Sequence, residues 1–494
     1  MEKDLSKKMG QATKWSGLTE IIAKLISPIT NAVLARLLVP EMFGVIATLT
    51  IVISFAEIFT DAGFQKYIVQ HQFKDDEDIE ISTNVAFWTN LTLSVIIWGV
   101  ISYFAAPITN LVGSPGCELA ITVMGLQIPL IAFSSIQIAR YRRDFDFKSL
   151  FISRMATTMV PLVVTIPVAV YTKSYWALIA GTLSREVLNA VILTVRSKWK
   201  PKLIYSFIKL KEMISFSLWT VVENVLIWMT NYLGAFIVSV SLNSYYLGLY
   251  KTSISTVNSI TMLITSATSP VLFSALSRCQ NDEAMFRNVF YKFQRMVALL
   301  VLPLGVGLFV YRELATKILL GNRWIETADF LGMWAITSSI CILFSNYNSE
   351  VFRSKGKPGL SALTQILHII VLVPVMLLFV KKGYHEVTAA RSLIRLQIIA
   401  VSSVIGYFAF GISLWKALKN VWPSFIAAVI MGGAGIFLRR LNEGMVYEIF
   451  SVLICCFIYG AVMLAIPSGR KQLREIPMVN RALDRFTRNK HSVK

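Results

Sequence analysis

Hydrophobic runs of about 20 residues recur along almost the whole chain, and a run of that length coiled as a helix crosses ~30 Å of hydrocarbon. Short polar or Pro/Gly-containing breaks separate them. Fourteen spans are predicted, over 15–37, 43–64, 83–106, 118–139, 150–171, 174–195, 212–239, 244–274, 289–310, 326–351, 359–380, 386–410, 416–438 and 446–466. Strands of a membrane barrel would alternate apolar and polar positions over about ten residues. These runs do not alternate, so the predicted fold is all-α, integral and polytopic.

Composition agrees. The chain is 55% hydrophobic and 15% charged over 494 residues, with a mean hydropathy of +0.61, which excludes a soluble globular domain of this length. The net charge of +20 invites a nucleic-acid reading, but its distribution gives a better account. With the N-terminus inside, 33 of the 48 Lys and Arg residues are cytoplasmic, counting Lys292, Arg295, Lys416 and Lys419 at the cytoplasmic ends of their spans, 8 fall in outer loops and the other 7 within spans. Cytoplasmic loops retain positive charge, so both termini are expected in the cytoplasm. The basic tail from Gly469 to Lys494 and the stretch Arg196 to Lys202 then face anionic lipid headgroups rather than nucleic acid. Met1 to Gln11 is charged and polar and the first apolar run lacks a small-residue cleavage site, so that span is expected to be retained. The five cysteines show neither a disulfide framework nor zinc spacing.

An internal repeat divides the chain. Leu38-Val-Pro-Glu-Met-Phe-Gly44-Val-Ile-Ala-Thr48, between the first two spans, aligns without a gap with Leu242-Asn-Ser-Tyr-Tyr-Leu-Gly248-Leu-Tyr-Lys-Thr252, between the seventh and eighth, at an offset of 204 residues. Both copies start on the cytoplasmic side, which makes them parallel repeats about an axis along the membrane normal. The predicted organisation is an N-terminal six-helix lobe over 1–205, a second over 206–410, a central cavity between them, two additional helices within 411–466, and a basic cytoplasmic tail over 467–494.

Apart from the four cations counted at cytoplasmic span ends, seven lie within the spans: Lys24, Arg36, Arg154, Arg185, Lys251, Arg391 and Arg395. A cation in hydrocarbon costs several kcal/mol and persists only against a water-filled cavity, a counter-ion or a ligand. A polar interior is therefore expected, and Arg forks or Lys point charges inside it would attract phosphate or acidic sugars.

Ala35-Arg-Leu-Leu-Val-Pro-Glu-Met-Phe-Gly-Val-Ile-Ala47, Phe59-Thr-Asp-Ala-Gly-Phe64 with Ile68-Val-Gln70, Tyr175-Trp-Ala-Leu178, Tyr246-Leu-Gly-Leu-Tyr250 and Leu319-Leu-Gly-Asn-Arg-Trp324 resemble bacterial polysaccharide flippases. The likeness is to the Wzx and teichuronic-acid exporter type of the multidrug/oligosaccharidyl-lipid/polysaccharide superfamily, and it spans most of the first twelve spans. It implies a bacterial cytoplasmic-membrane transporter that flips undecaprenyl-pyrophosphate-linked oligosaccharide to the outer leaflet by alternating access. The implied partners are that substrate, membrane lipids, and the polymerase and glycosyltransferases of surface polysaccharide synthesis. No cofactor is implied beyond a sodium or proton gradient.

Depth then sorts the cations. Arg391 and Arg395 are four apart, on one helix face, and repel unless an anion joins them; a ligand phosphate or uronate would serve, as would Glu223 or Glu350. Arg36 and Lys251 sit in the outer parts of the first and eighth spans, facing either the cavity or the outer headgroups by snorkelling. Lys24 has Glu20 one turn before it, which leaves an ion pair and a ligand site both open. Arg154 is expected to snorkel to the cytoplasmic side. Arg185 and Glu186 point about 100° apart on a helix and are expected to find separate partners in lobe packing. Glu57 and Asp61, also four apart, would bind a sodium ion or exchange a proton, or else pair with Lys24 or Arg154.

Catalytic signals fail on context. Asp144-Phe-Asp146 matches the D-x-D of nucleotide-sugar transferases but lies in a short cytoplasmic loop, and Asp75-Asp-Glu-Asp78 reads as a solvated face. His71, His368, His385 and His491 have no zinc spacing, and no P-loop appears. No catalytic or metal-ligating residue is expected. A polytopic glycosyltransferase or ligase would need a sizeable outer loop, and a multidrug antiporter of the same superfamily would favour an acidic or aromatic cavity.

Overall fold

The computed structural model describes Ile26 and residues 28–474, apart from positions 62, 145, 358 and 443. Among the described residues there is no strand. Thirteen helices among the described residues are long and apolar enough to span a membrane. They are α1 (Pro40–Asp61), α2 (Asp76–Tyr103), α3 (Glu118–Arg143), α4 (Phe147–Thr172), α5 (Trp176–Arg196), α6 (Phe207–Ser241), α7 (Ser244–Arg278), α8 (Glu283–Val310), α9 (Asn322–Ser354), α10 (Gly359–Val380), α11 (Tyr384–Phe410), α12 (Leu414–Arg439) and α13 (Met445–Ala465). These are the second to fourteenth predicted spans. The first, 15–37, falls largely outside the described residues.

Polar residues mark where helices begin. Asp75 accepts from the Asp78 amide at 2.7 Å, and Asp76, Glu77 and Asp78 follow in the first turn of α2, where the positive end of the helix dipole favours acids. Asp282 caps α8 by accepting from the amides of Ala284 and Met285. Asp146, the second acid of the D-x-D match, accepts from both the amide and hydroxyl of Ser149 at the start of α4. Proline marks a break inside a span: Pro161, which lacks an N–H, opens a π-turn in α4 over Pro161–Thr165.

The chain forms two compact units, residues 1–252 and 253–494. In the first, Leu49 and Ile53 of α1, Ile121 and Ile128 of α3, and Ile179 of α5 form one apolar core. Phe87, Ile136 and Met213 form a second that seats the start of α6 on α2 and α3. In the second unit, Phe286, Phe290 and Val297 of α8 pack with Leu343 and Tyr347 of α9 and with Val421 and Ala428 of α12. α13 joins through Tyr459, whose hydroxyl donates to the Leu299 carbonyl at 3.1 Å. Large apolar side chains also cover the outside: Phe408 is 83% exposed and Phe457 79%. Water would not tolerate an apolar surface of that extent, and lipid would.

Between α5 and α6 the chain is strapped across α2. The Lys202 amide donates to Asn84 Oδ1 at 2.7 Å and its carbonyl accepts from Trp88 Nε1 at 2.8 Å. Tyr205 and Thr89 hydroxyls meet at 2.9 Å, and Lys202 Nζ lies 2.5 Å from Glu80 Oε1.

Candidate functional site

The arginine pair of α11 is the most developed of the expected sites. Arg391 and Arg395 share a face, as four-residue spacing requires, and both lie over the indole of Trp334 on α9, with guanidinium carbons 5.0 and 3.8 Å from its centroid. Arg395 Nη1 donates to Ser338 Oγ, one turn beyond Trp334, at 2.6 Å. The indole N–H donates to Asn258 Oδ1 of α7 at 3.2 Å. On the neighbouring helix, His368 Nδ1 of α10 and Gln397 Oε1 of α11 are 3.1 Å apart. Arg391 is the deeper of the two at 9% exposed, and Arg395 is half-buried. Glu350, one expected counter-ion, is instead engaged by Arg353 one turn along α9, at 2.5 Å, because that partner needs no reach across the bundle. The side chain of Glu223 lies outside the described residues.

The remaining cations divide. Lys251 of α7 is turned onto α6, its Nζ 4.6 Å above the Tyr232 ring. Tyr232 stacks on Trp228, and Trp228 tilts against Phe55 of α1 with centroids 5.7 and 4.8 Å apart. Trp228 Nε1 donates to Ser54 Oγ at 3.0 Å, which fixes the ring. The sequence reading missed this wall, since Phe55, Trp228 and Tyr232 are ordinary apolar members of their spans until the helices are brought together. Arg36 is exposed on the helical segment 28–37. Arg154 is exposed on α4. Lys24 lies outside the described residues.

Of the acids, Glu57 of α1 accepts a hydrogen bond from Gln127 Nε2 of α3 at 3.1 Å, with Arg185 and Glu186 of α5 close enough to act on its charge. Asp61 ends α1, and its side chain lies outside the described residues. Arg185 and Glu186 do pair with each other, Nη2 to Oε1 at 2.8 Å and Nε to the same oxygen at 2.9 Å. This corrects the expectation from their 100° offset: the long arginine stem bends back far enough to reach its neighbour.

The two copies of the repeat touch directly, within the first unit. A Cβ on Gly44 would lie 1.6 Å from the carbonyl oxygen of Ser244, and one on Gly248 would lie 1.9 Å from that of Pro40. Each glycine thus meets the residue opening the other copy's helix. The seam continues through Ser239, whose hydroxyl donates to the Val112 carbonyl at 2.5 Å and lies 3.1 Å from the Thr48 hydroxyl.

The comparisons agree with this architecture. Residues 33–329 match the family model described as polysaccharide biosynthesis protein. The lipopolysaccharide biosynthesis protein WzxC of Escherichia coli is 18% identical over 443 residues, covering 87% of this chain and 88% of that protein. The succinoglycan biosynthesis transport protein ExoT of Rhizobium meliloti is 23% identical over 336 residues, covering 67% of each. The lipid II flippase MurJ in an inward closed conformation superposes with a TM-score of 0.74 at 12% identity, covering 91% of this chain and 98% of that one, which establishes a shared fold. With more than half its length matched by one family model, the chain belongs to the polysaccharide biosynthesis protein family, and its apolar helices make it a multi-pass membrane protein.

Proposed function

We propose that this protein flips undecaprenyl-pyrophosphate-linked oligosaccharide from the cytoplasmic to the outer leaflet by alternating access, for surface polysaccharide synthesis. The observation that carries the reading is the Arg391–Arg395 pair held over Trp334 inside a membrane-spanning bundle. Such a pair is costly in hydrocarbon unless it meets a water-filled cavity, a counter-ion or a ligand. A pyrophosphate carries the complementary charge and accepts the arginine fork geometrically. The polyprenyl tail stays in lipid, so the protein has to shield only the head.

The aromatic wall of Phe55, Trp228 and Tyr232 beside Lys251 offers flat apolar faces with one cation, a lining suited to sugar rings and their acidic substituents. Glu57, with Asp61 on the same helix, is the site where a sodium ion or proton would couple transport to a gradient. Both termini are cytoplasmic in this reading, and the flipped product passes to a polymerase on the outer side. Flipping of a fluorescent lipid-linked oligosaccharide in proteoliposomes tests the proposal, with wild type and Arg391→Ala/Arg395→Ala compared under imposed sodium and proton gradients. The double variant is expected to lose flipping at least tenfold; unchanged flipping overturns the site.

A further inference from the structure

We propose that Trp334 is the positioning residue for the arginine pair, and that Asn258 fixes it in that role. The inference rests on the flippase reading and adds to it how two like charges are held ready for one anion.

Two guanidiniums one helical turn apart repel. An indole π-face attracts cations electrostatically and carries no formal charge of its own, so it holds both guanidiniums without cancelling their charge. Trp334 carries both, Arg395 at 3.8 Å and Arg391 at 5.0 Å. Trp334 is 3% exposed, so it is not itself a platform for a sugar and acts through the arginines. Asn258, exposed on α7, accepts from the indole N–H, and Ser338 receives Arg395 Nη1 from the same helix as Trp334. The ring plane and the guanidinium plane are thereby each anchored at a second point.

The test compares Trp334→Leu, Trp334→Phe and Asn258→Ala in proteoliposomes, using a fluorescent undecaprenyl-pyrophosphate-linked oligosaccharide as the probe. Trp334→Leu is expected to raise the apparent KM about tenfold with the maximal rate kept within about threefold. Trp334→Phe, which keeps a π-face, restores most of that loss, and Asn258→Ala gives a smaller rise in KM. In an Arg395→Ala background Trp334→Leu adds nothing, since the interaction it served is already gone. A lower maximal rate at unchanged KM, a Phe variant as impaired as the Leu variant, or full additivity with Arg395→Ala overturns the proposal. Should Trp334→Leu fail to fold, Asn258→Ala at an exposed position decides: an unchanged KM there also overturns it. Should Arg395→Ala itself leave flipping intact, the flippase site reading falls first, and the two failures are told apart.

Discussion

Replacing Gly248 with alanine sets the seam between the repeats against its own geometry. The added Cβ would stand 1.9 Å from Pro40 O, 2.7 Å from Pro40 C and 3.0 Å from Gly44 N, all backbone atoms that no rotamer change can move. Ordinary contact begins at 3.4 Å, so the start of α7 must draw back from the start of α1 by about 1.5 Å, and overpacking of this kind costs ~1–3 kcal/mol. If the strain falls on the closed seam alone, the equilibrium moves toward a parted seam by roughly 5- to 150-fold. A cysteine at Ser239, which is 2% exposed within the seam, reports the change. In a background with the five native cysteines replaced, its maleimide labelling rate in detergent is expected to rise at least about fivefold in Gly248→Ala, with a lower unfolding midpoint. Gly99 on α2 is the control: a Cβ there meets nothing within 4 Å, so Gly99→Ala should be neutral or stabilising by up to ~1 kcal/mol, since alanine is the better helix former. The reasoning is refuted if Gly248→Ala labels and melts like the Gly99 variant.

Three further outcomes are expected. Glu57→Gln keeps a polar side chain against Gln127 but removes the titratable carboxyl; flipping should lose its response to an imposed gradient while flipping at equilibrium persists, and a preserved response assigns coupling elsewhere. Lys251→Met keeps the stem over Tyr232 and removes the charge; the apparent KM for an acidic oligosaccharide should rise more than for a neutral one, as steady-state flipping of the two will show. Glu350→Ala breaks a pair whose arginine is half-exposed; the cost is expected to be at most ~1 kcal/mol by thermal unfolding, with KM unchanged, whereas a changed KM would return Glu350 to the arginine site.

The spans were legible because lipid leaves a helix no alternative to satisfying its own backbone, and thirteen of the fourteen expected runs fall on described helices. The Gly44 and Gly248 segments could be aligned in sequence, but nothing in the alignment indicated that they press on each other. Arg391 and Arg395 were visible as a pair from spacing alone. Their true neighbour, Trp334, was not, because the contact joins helices some sixty residues apart in sequence and tryptophan is common in membrane spans. For the same reason Lys251 could be placed by depth but not turned onto Tyr232. The Arg185–Glu186 pair escaped for the opposite reason: backbone periodicity describes Cβ directions, and arginine has enough rotatable bonds to depart from them.

The strap between α5 and α6 bears on how this chain tolerates being cut. Links between helices usually permit a chain to be made as two polypeptides when little is bonded to the link. Here Lys202 gives its amide to Asn84, which is fully buried on α2, and its carbonyl to Trp88. Severing the chain so that this segment frays would strand the buried Asn84 amide, at ~1–3 kcal/mol for a polar group left buried without its bond, and would also release the Trp88 indole. Co-expressed halves divided at this joint should therefore reassemble poorly. A division at Gly116, exposed in the link between α2 and α3, leaves the strap whole and is the better point for building a split protein.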